Sequence, residues 1–197
     1  MRLEPLSLDH VGPLVAAARG PRDTYGFTIV PDTEDEMAQY VATALELQVA
    51  RRALPFATVD MVTGRVVGST RFGNIEFWPW HRGHPLQRGE EVPDVVEIGW
   101  TWLAAGAQRT PINTEAKLLM LTHAFETWRV HAVKLNTDAR NARSRAAIER
   151  IGARFDGVLR AHRPASDGGI RDTAAFSLLE AEWPGAKRHL LARLGGN

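Results

Sequence analysis

Three groups of residues in this chain have types and positions suited to chemistry: Glu97, the segment 108–114, and Asn136 with Asn141 and Ser144. Glu97 lies in VVEIGWTWL, residues 95–103, a run with strand-like residue types. Strict alternation puts Val95, Glu97, Gly99, Thr101 and Leu103 on one face and Val96, Ile98, Trp100 and Trp102 on the other. The second face reads as core, so the carboxylate is expected on the face that is not uniformly apolar. Gly99, which a strand interior normally avoids, invites a bulge or the close approach of a ligand. A strand carboxylate is also, quite ordinarily, a solvated residue or the partner of an arginine. The other two groups open helices in tandem strand-to-helix turns. Backbone N–H groups at such starts can meet an anionic or amide-bearing ligand, and plain helix capping accounts for the same residues.

Elements must position these groups. Residues 2–6 read as a first strand, and Leu8, Val11, Leu14 and Val15 follow helical spacing up to Gly20 and Pro21. A loop, 20–33, carries Tyr25 and Phe27. From Thr33 the sequence TEDEMAQYVATALELQVARR starts acidic and ends basic, as a helix complementing its own dipole does. LPFATVDM and RVVGSTRFGNI flank Val62, Thr63 and Gly64 as a hairpin. Residues 77–94, with Trp78 and Trp80, lack periodicity and read as a long loop. A helix over 114–128 presents Leu118, Leu121, Phe125 and Trp128 at helical intervals. The strand HAVKL leads to a helix that Asn141 caps and Gly152 ends. FDGVLRAHR and RDTAAFSLL then form a hairpin around 166–169, and a last helix over 180–194 has Pro184 in its first turn. This order predicts one α+β domain over 1–197 with a mixed, mostly antiparallel central sheet flanked by helices.

The 197 residues are 44% hydrophobic, enough for one buried core. Lys plus Arg at 24 against Asp plus Glu at 23 leaves a formal charge of +1, which argues against nucleic acid or an anionic membrane as partner. Any anion site must be local. With no cysteine, disulfides, thiolate metal sites and an acyl-cysteine intermediate are excluded. No metal is expected, because His81 and His84 on a proline-bordered loop have no clear third ligand. MRLEPLSLDH lacks a basic-then-apolar leader and no apolar run reaches membrane-spanning length, so the expectation is a soluble, cytoplasmic protein.

The sequence from Val95 to Arg150, with Glu97, the Gln108 loop, TEAK, and Asn141 with Ser144, resembles the GNAT superfamily of acyl-CoA-dependent N-acyltransferases, within it the RimL/RimJ-like branch. The order of elements matches that fold over nearly the whole chain. The resemblance implies splayed central strands and acetyl-CoA as acyl donor in the gap between them. Glu97 then matches a carboxylate that takes the proton of an attacking amine, directly or through water. Amides of Trp100, Thr101, Trp102 and Leu103 would hold the thioester oxygen. Gln108, Arg109, Ile112, Asn113 and Thr114 would hold the pyrophosphate, with Arg109 or Lys117 supplying charge. The family pattern there, Gln/Arg-x-x-Gly-x-Gly/Ala, departs at Pro111, which lacks an N–H, and at Asn113, which tolerates the positive φ of glycine. Asn136 and Asn141 fall at the pantetheine end. Ser144 approaches the sulfur as candidate acid, since the position of the usual tyrosine is Ile148. Arg140, Arg143 and Arg145 form a basic patch near the 3′-phosphate position, which is also simply a solvated helix face. Tyr25, Phe27, Trp78 and Trp80 are expected to border the acceptor entrance or to anchor their loops. The acceptor is an amine, either a small molecule or a protein N-terminus, and a homodimer is compatible with the resemblance. A non-catalytic acyl-CoA sensor on the same fold is the alternative reading.

Overall fold

The computed structural model describes residues 1–195. A single seven-stranded sheet has the order β1-β2-β3-β4-β5-β7-β6. Its strands are β1 (Arg2–Pro5), β2 (Leu54–Asp60), β3 (Arg65–Glu76), β4 (Val95–Leu103), β5 (Ala132–Asp138), β6 (Arg154–Pro164) and β7 (Ile170–Leu179). Every neighbouring pair is antiparallel except β4 with β5. That parallel pair is in register only at Val95, Val96 and Glu97, opposite Ala132, Val133 and Lys134. Beyond Glu97 the two strands part, and a gap opens in the middle of the sheet.

Helices cover both faces. α1 (Val11–Ala18) and α2 (Glu34–Val49) bury Leu14, Met37 and Val41 against one face, together with Ala57 and Trp102. Thr33 starts α2 as foreseen: its hydroxyl accepts the Glu36 N–H at 3.2 Å and the Glu36 carboxylate accepts the Thr33 N–H at 3.3 Å, a reciprocal cap. On the other face lie α3 (Ile112–Thr122), α4 (Ala142–Glu149) and α5 (Trp183–Gly195), packed through Met120, Leu121, Ile148 and Leu190 on Phe72, Ile98, Val133 and Phe176. α3 starts two residues earlier than its apolar spacing predicts and runs on into a π-helical turn, His123–Trp128, that ends at Arg129 in the left-handed conformation. Among the described residues no helix is long and apolar enough to cross a membrane.

Candidate active site

Two bulges shape β4 and its neighbour around Glu97. Trp100 has φ +51°, and the β3–β4 register slips there, so that Ser69 opposes Trp102 while Arg71 opposes Gly99. Side-chain alternation inverts at that point. The even-numbered face read as core in the sequence is therefore split. Val96 and Ile98 pack under α3, whereas Trp102 belongs to the α1/α2 core on the opposite face. Trp100 is half-buried rather than core, and its benzo ring lies on Gly73, where a Cβ would come within 2.3 Å of Cζ3. Thr101 also changes sides, bonding Thr70 at 2.7 Å and Lys117 at 2.8 Å under α3. The second bulge is Asn74, at φ +43°, opposite the slip between Gly73 and Glu76.

Glu97 is 4% exposed, and among the described residues no arginine pairs with it. Its Oε2 accepts from Asn74 Nδ2 at 2.7 Å and from Asn136 Nδ2 at 2.9 Å, so amides from β3 and β5 grip one oxygen of a β4 carboxylate. Its Oε1 accepts no hydrogen bond among the described residues and lies over Gly99, where a Cβ would be 3.2 Å away. Gly99 thus gives the Glu97 carboxylate room, and the bulge that its position suggested falls on the next residue, Trp100. The group stands at the last residue of β4 that pairs with β5, where the gap begins. His162 and Arg171, on β6 and β7, are close enough to feel its charge. Burial is the main cause lowering the pKa of both, and the Glu97 carboxylate opposes that shift in each.

Past the ends of β4 and β5, the two strands that part, the chain enters the two helix starts, α3 after β4 and α4 after β5. The first ladder bond of α3 runs from the Glu115 N–H to Pro111 O at 2.9 Å, which leaves the N–H groups of Ile112, Asn113 and Thr114 ahead of the helical ladder, that of Ile112 donating to Thr110 Oγ1 at 3.4 Å. Asn113 Oδ1 is buried and has no partner among the described residues. Positive φ is found at Arg109, +61°, and not at Asn113, which is helical; the turn is made two residues before the proline. Pro111 therefore takes the N-cap with φ −60°, a position where a missing N–H breaks no ladder bond. Lys117 is not available to phosphate: it is buried on α3 between Thr70 and Thr101, and burial lowers its pKa from 10.5 to about 7. Gln108 donates its amide to Leu103 O and Thr24 Oγ1, each at 2.9 Å, and so joins the end of β4 to the 20–33 loop. At α4, Asn141 Oδ1 accepts the Ser144 N–H at 3.0 Å as an N-cap, and Ile148 is core. Arg140 is held by Asp138 and Asp167, Arg143 reaches Thr24 O, and Arg145 reaches Ala139 O, so the basic patch is engaged within the protein.

The four aromatic candidates separate into two groups. Tyr25 is buried at the far end of β4, its hydroxyl on Leu103 O at 3.0 Å, and Phe27 lies under Arg140. Trp78 and Trp80 are at the near end, where the Trp78 N–H and the Trp80 indole bond Asp94 at 2.7 and 2.6 Å and the rings stack on His131 and His84. Among the described residues no group of three or more His, Cys, Asp or Glu side chains could hold a metal ion. Sequence reasoning missed Asn74 and Arg71. For Asn74 a signal existed, since Gly73-Asn74 inside a strand run is bulge chemistry.

A sequence model of the acetyltransferase (GNAT) domain matches residues 1–154. The chain is 34% identical over 102 residues to the "Putative ribosomal N-acetyltransferase YdaF" of Bacillus subtilis (strain 168), a match spanning 52% of this chain and 55% of that protein. It thus spans about half the length of that relative. A GCN5-related N-acetyltransferase from Brucella melitensis is 30% identical, with a TM-score of 0.80 over 97% of this chain and 80% of that one. Mycobacterium smegmatis RimJ in complex with CoA-disulfide is 20% identical, with a TM-score of 0.77 over 97% and 88%, and shares the fold.

Proposed function

Since the chain belongs to the GNAT acetyltransferase family, we propose that it transfers the acetyl group of acetyl-CoA to a primary amine by direct attack in a ternary complex. A polypeptide N-terminus is the acceptor class, in keeping with the relative named for ribosomal N-acetylation. The observation that carries this reading is Glu97: a buried carboxylate with one oxygen fixed by two amides and the other unbonded, at the point where β4 and β5 part. The fixed oxygen sets the orientation, and Oε1 is free to accept the ammonium proton that the amine must lose before or during attack. β4 beyond Glu97 has no ladder partner on its gap side, which leaves main-chain amides for the oxygen that gains charge. The first-turn amides of α3 suit the pyrophosphate, and Pro111 withholds none that the helical ladder uses. Asn141, its Oδ1 occupied by the cap, retains its amide N–H groups for the pantetheine arm, and the Ser144 hydroxyl is in the first turn of α4 for the departing thiolate.

Calorimetric titration with acetyl-CoA, using adenosine 3′,5′-bisphosphate to report the nucleotide end, is expected to show binding, and thiol release with peptide amines is expected to show turnover. In Glu97→Gln the new carbonyl oxygen still accepts from Asn74 and Asn136, so the scaffold is kept while the base is lost. The expected result is a kcat lower by roughly 10²- to 10⁴-fold with acetyl-CoA affinity unchanged. Absence of acetyl-CoA binding at millimolar concentration overturns the proposal. Binding of acetyl-CoA without release of its thiol in the presence of any amine makes the protein an acyl-CoA sensor.

A further inference from the structure

Arg71 lies mid-strand in β3 and is 5% exposed. Its Cζ is 5.2 Å from the Tyr40 ring centroid and 4.7 Å from that of Trp100, so the guanidinium is sandwiched between an α2 aromatic and the β4 bulge. Among the described residues no carboxylate pairs with it and no acceptor takes a hydrogen bond from it, in contrast to Arg22, Arg51, Arg88, Arg140 and Arg154. Burying a guanidinium without an anion is unfavourable, and two aromatic faces recover only part of that cost. Both rings hold the planar fork in one orientation, which is how a bidentate carboxylate site is preorganised.

The position relates this cation to the base. Arg71 opposes Gly99 and Gly73 opposes Glu97, so Arg71 and Glu97 share one face of the sheet as diagonal neighbours, about 7–8 Å apart at the backbone. The Trp100 benzo ring on Gly73 forms the floor between them. Resting on the acetyl-transfer reading above, we infer that Arg71 binds a carboxylate on the second or third residue of a polypeptide acceptor whose terminal amine faces Glu97. An extended chain advances about 3.3–3.6 Å per residue, so an acidic side chain at either position spans the distance.

The test is thiol release at saturating acetyl-CoA with hexapeptides that differ by glutamate for glutamine at position two, three or six. The expected kcat/KM preference for glutamate is roughly ten- to a hundredfold at position two or three and absent at position six, the range of a lost charge-assisted hydrogen bond. In Arg71→Met the glutamate-to-glutamine ratio falls to near one, and Arg71→Lys keeps part of it. Equal turnover of the peptides by the unaltered protein overturns the inference, and so does a preference that survives in Arg71→Met. That first comparison needs no variant, so misfolding of a substitution cannot obscure it. If no peptide is turned over, the transfer reading fails, and calorimetry of the same peptides with the CoA-bound protein still decides: tighter binding of the glutamate peptides, lost in Arg71→Met, supports the site, and equal binding overturns it.

Discussion

Lys117 is the residue whose chemistry and surroundings conflict most. Its amine is buried on α3 with only the hydroxyls of Thr70 at 3.4 Å and Thr101 at 2.8 Å, and burial lowers its pKa from 10.5 to about 7. Between those two pH values the unfolded chain binds more protons than the folded one, so stability rises with pH across that window. Below pH 7 the folded state carries the buried charge in full. Lys117→Met removes the charge while Thr70 and Thr101 keep their 2.7 Å bond to each other. The expected outcome in urea melts is a stabilised variant, with a gain largest below about pH 7 and shrinking towards pH 10.5; the shift corresponds to roughly 5 kcal/mol between the two limits. A gain independent of pH would show that the amine has the same pKa in the folded and the unfolded chain, so that burial does not shift it. What the sequence revealed divides along this line. Glu97, Asn141 and Gly99 were legible because each has a local signature of strand alternation, capping or missing side chain. Arg71 was not singled out, and the contacts of Lys117 and Asn136 were not foreseen, because their partners are 16 or more positions away on other elements, Lys117 with Thr101 and Asn136 with Glu97 among them.

The elements themselves were legible to within about three residues, since apolar periodicity and Gly or Pro breaks are local. The bulges were not, and they decide the site. Alternation read straight through β4 places Trp100 in the core; one inserted residue with positive φ sends it onto the Glu97 face and moves Thr101 and Trp102 to opposite sides. Gly73 is the counterpart that makes room for the displaced indole, with a hypothetical Cβ 2.3 Å from Cζ3. Gly73→Ala therefore has to push the Trp100 ring off β3. Overpacking of this kind typically costs about 1–3 kcal/mol, so the midpoint of urea unfolding should fall with the slope unchanged. Because the indole also flanks Arg71, the same substitution should weaken discrimination between glutamate and glutamine peptides. If stability falls and discrimination stays, Trp100 is packing alone and the floor of the acceptor groove lies elsewhere.

At the scale of the whole molecule the sheet is joined across its middle by three parallel register pairs and by side-chain bonds from Lys134 to Glu76 and from Asn136 to Glu97, with helices packed beneath. β1–β4 carry the α1/α2 core; β5–β7 carry the long hairpin. The residues of β4 and β5 beyond Glu97 and Lys134 turn unpaired edges towards the gap, and such edges are where exchange with solvent is least restrained. A ligand in that gap would bridge the halves and bind only the folded chain, raising stability by RT ln(1 + [L]/Kd), about 2.7 kcal/mol at a hundredfold excess over Kd. For a domain of this size that is a rise in Tm of roughly 5–11 °C. A global rise alone does not locate the ligand, so amide exchange must accompany it. With acetyl-CoA, slowing is expected to concentrate in residues 98–103, 112–114 and 135–138, well above any uniform effect on the β6–β7 hairpin. Uniform slowing, with no excess at the gap, would mean that acetyl-CoA stabilises the fold from another site and that the parted strands are a feature of the architecture rather than the place of transfer.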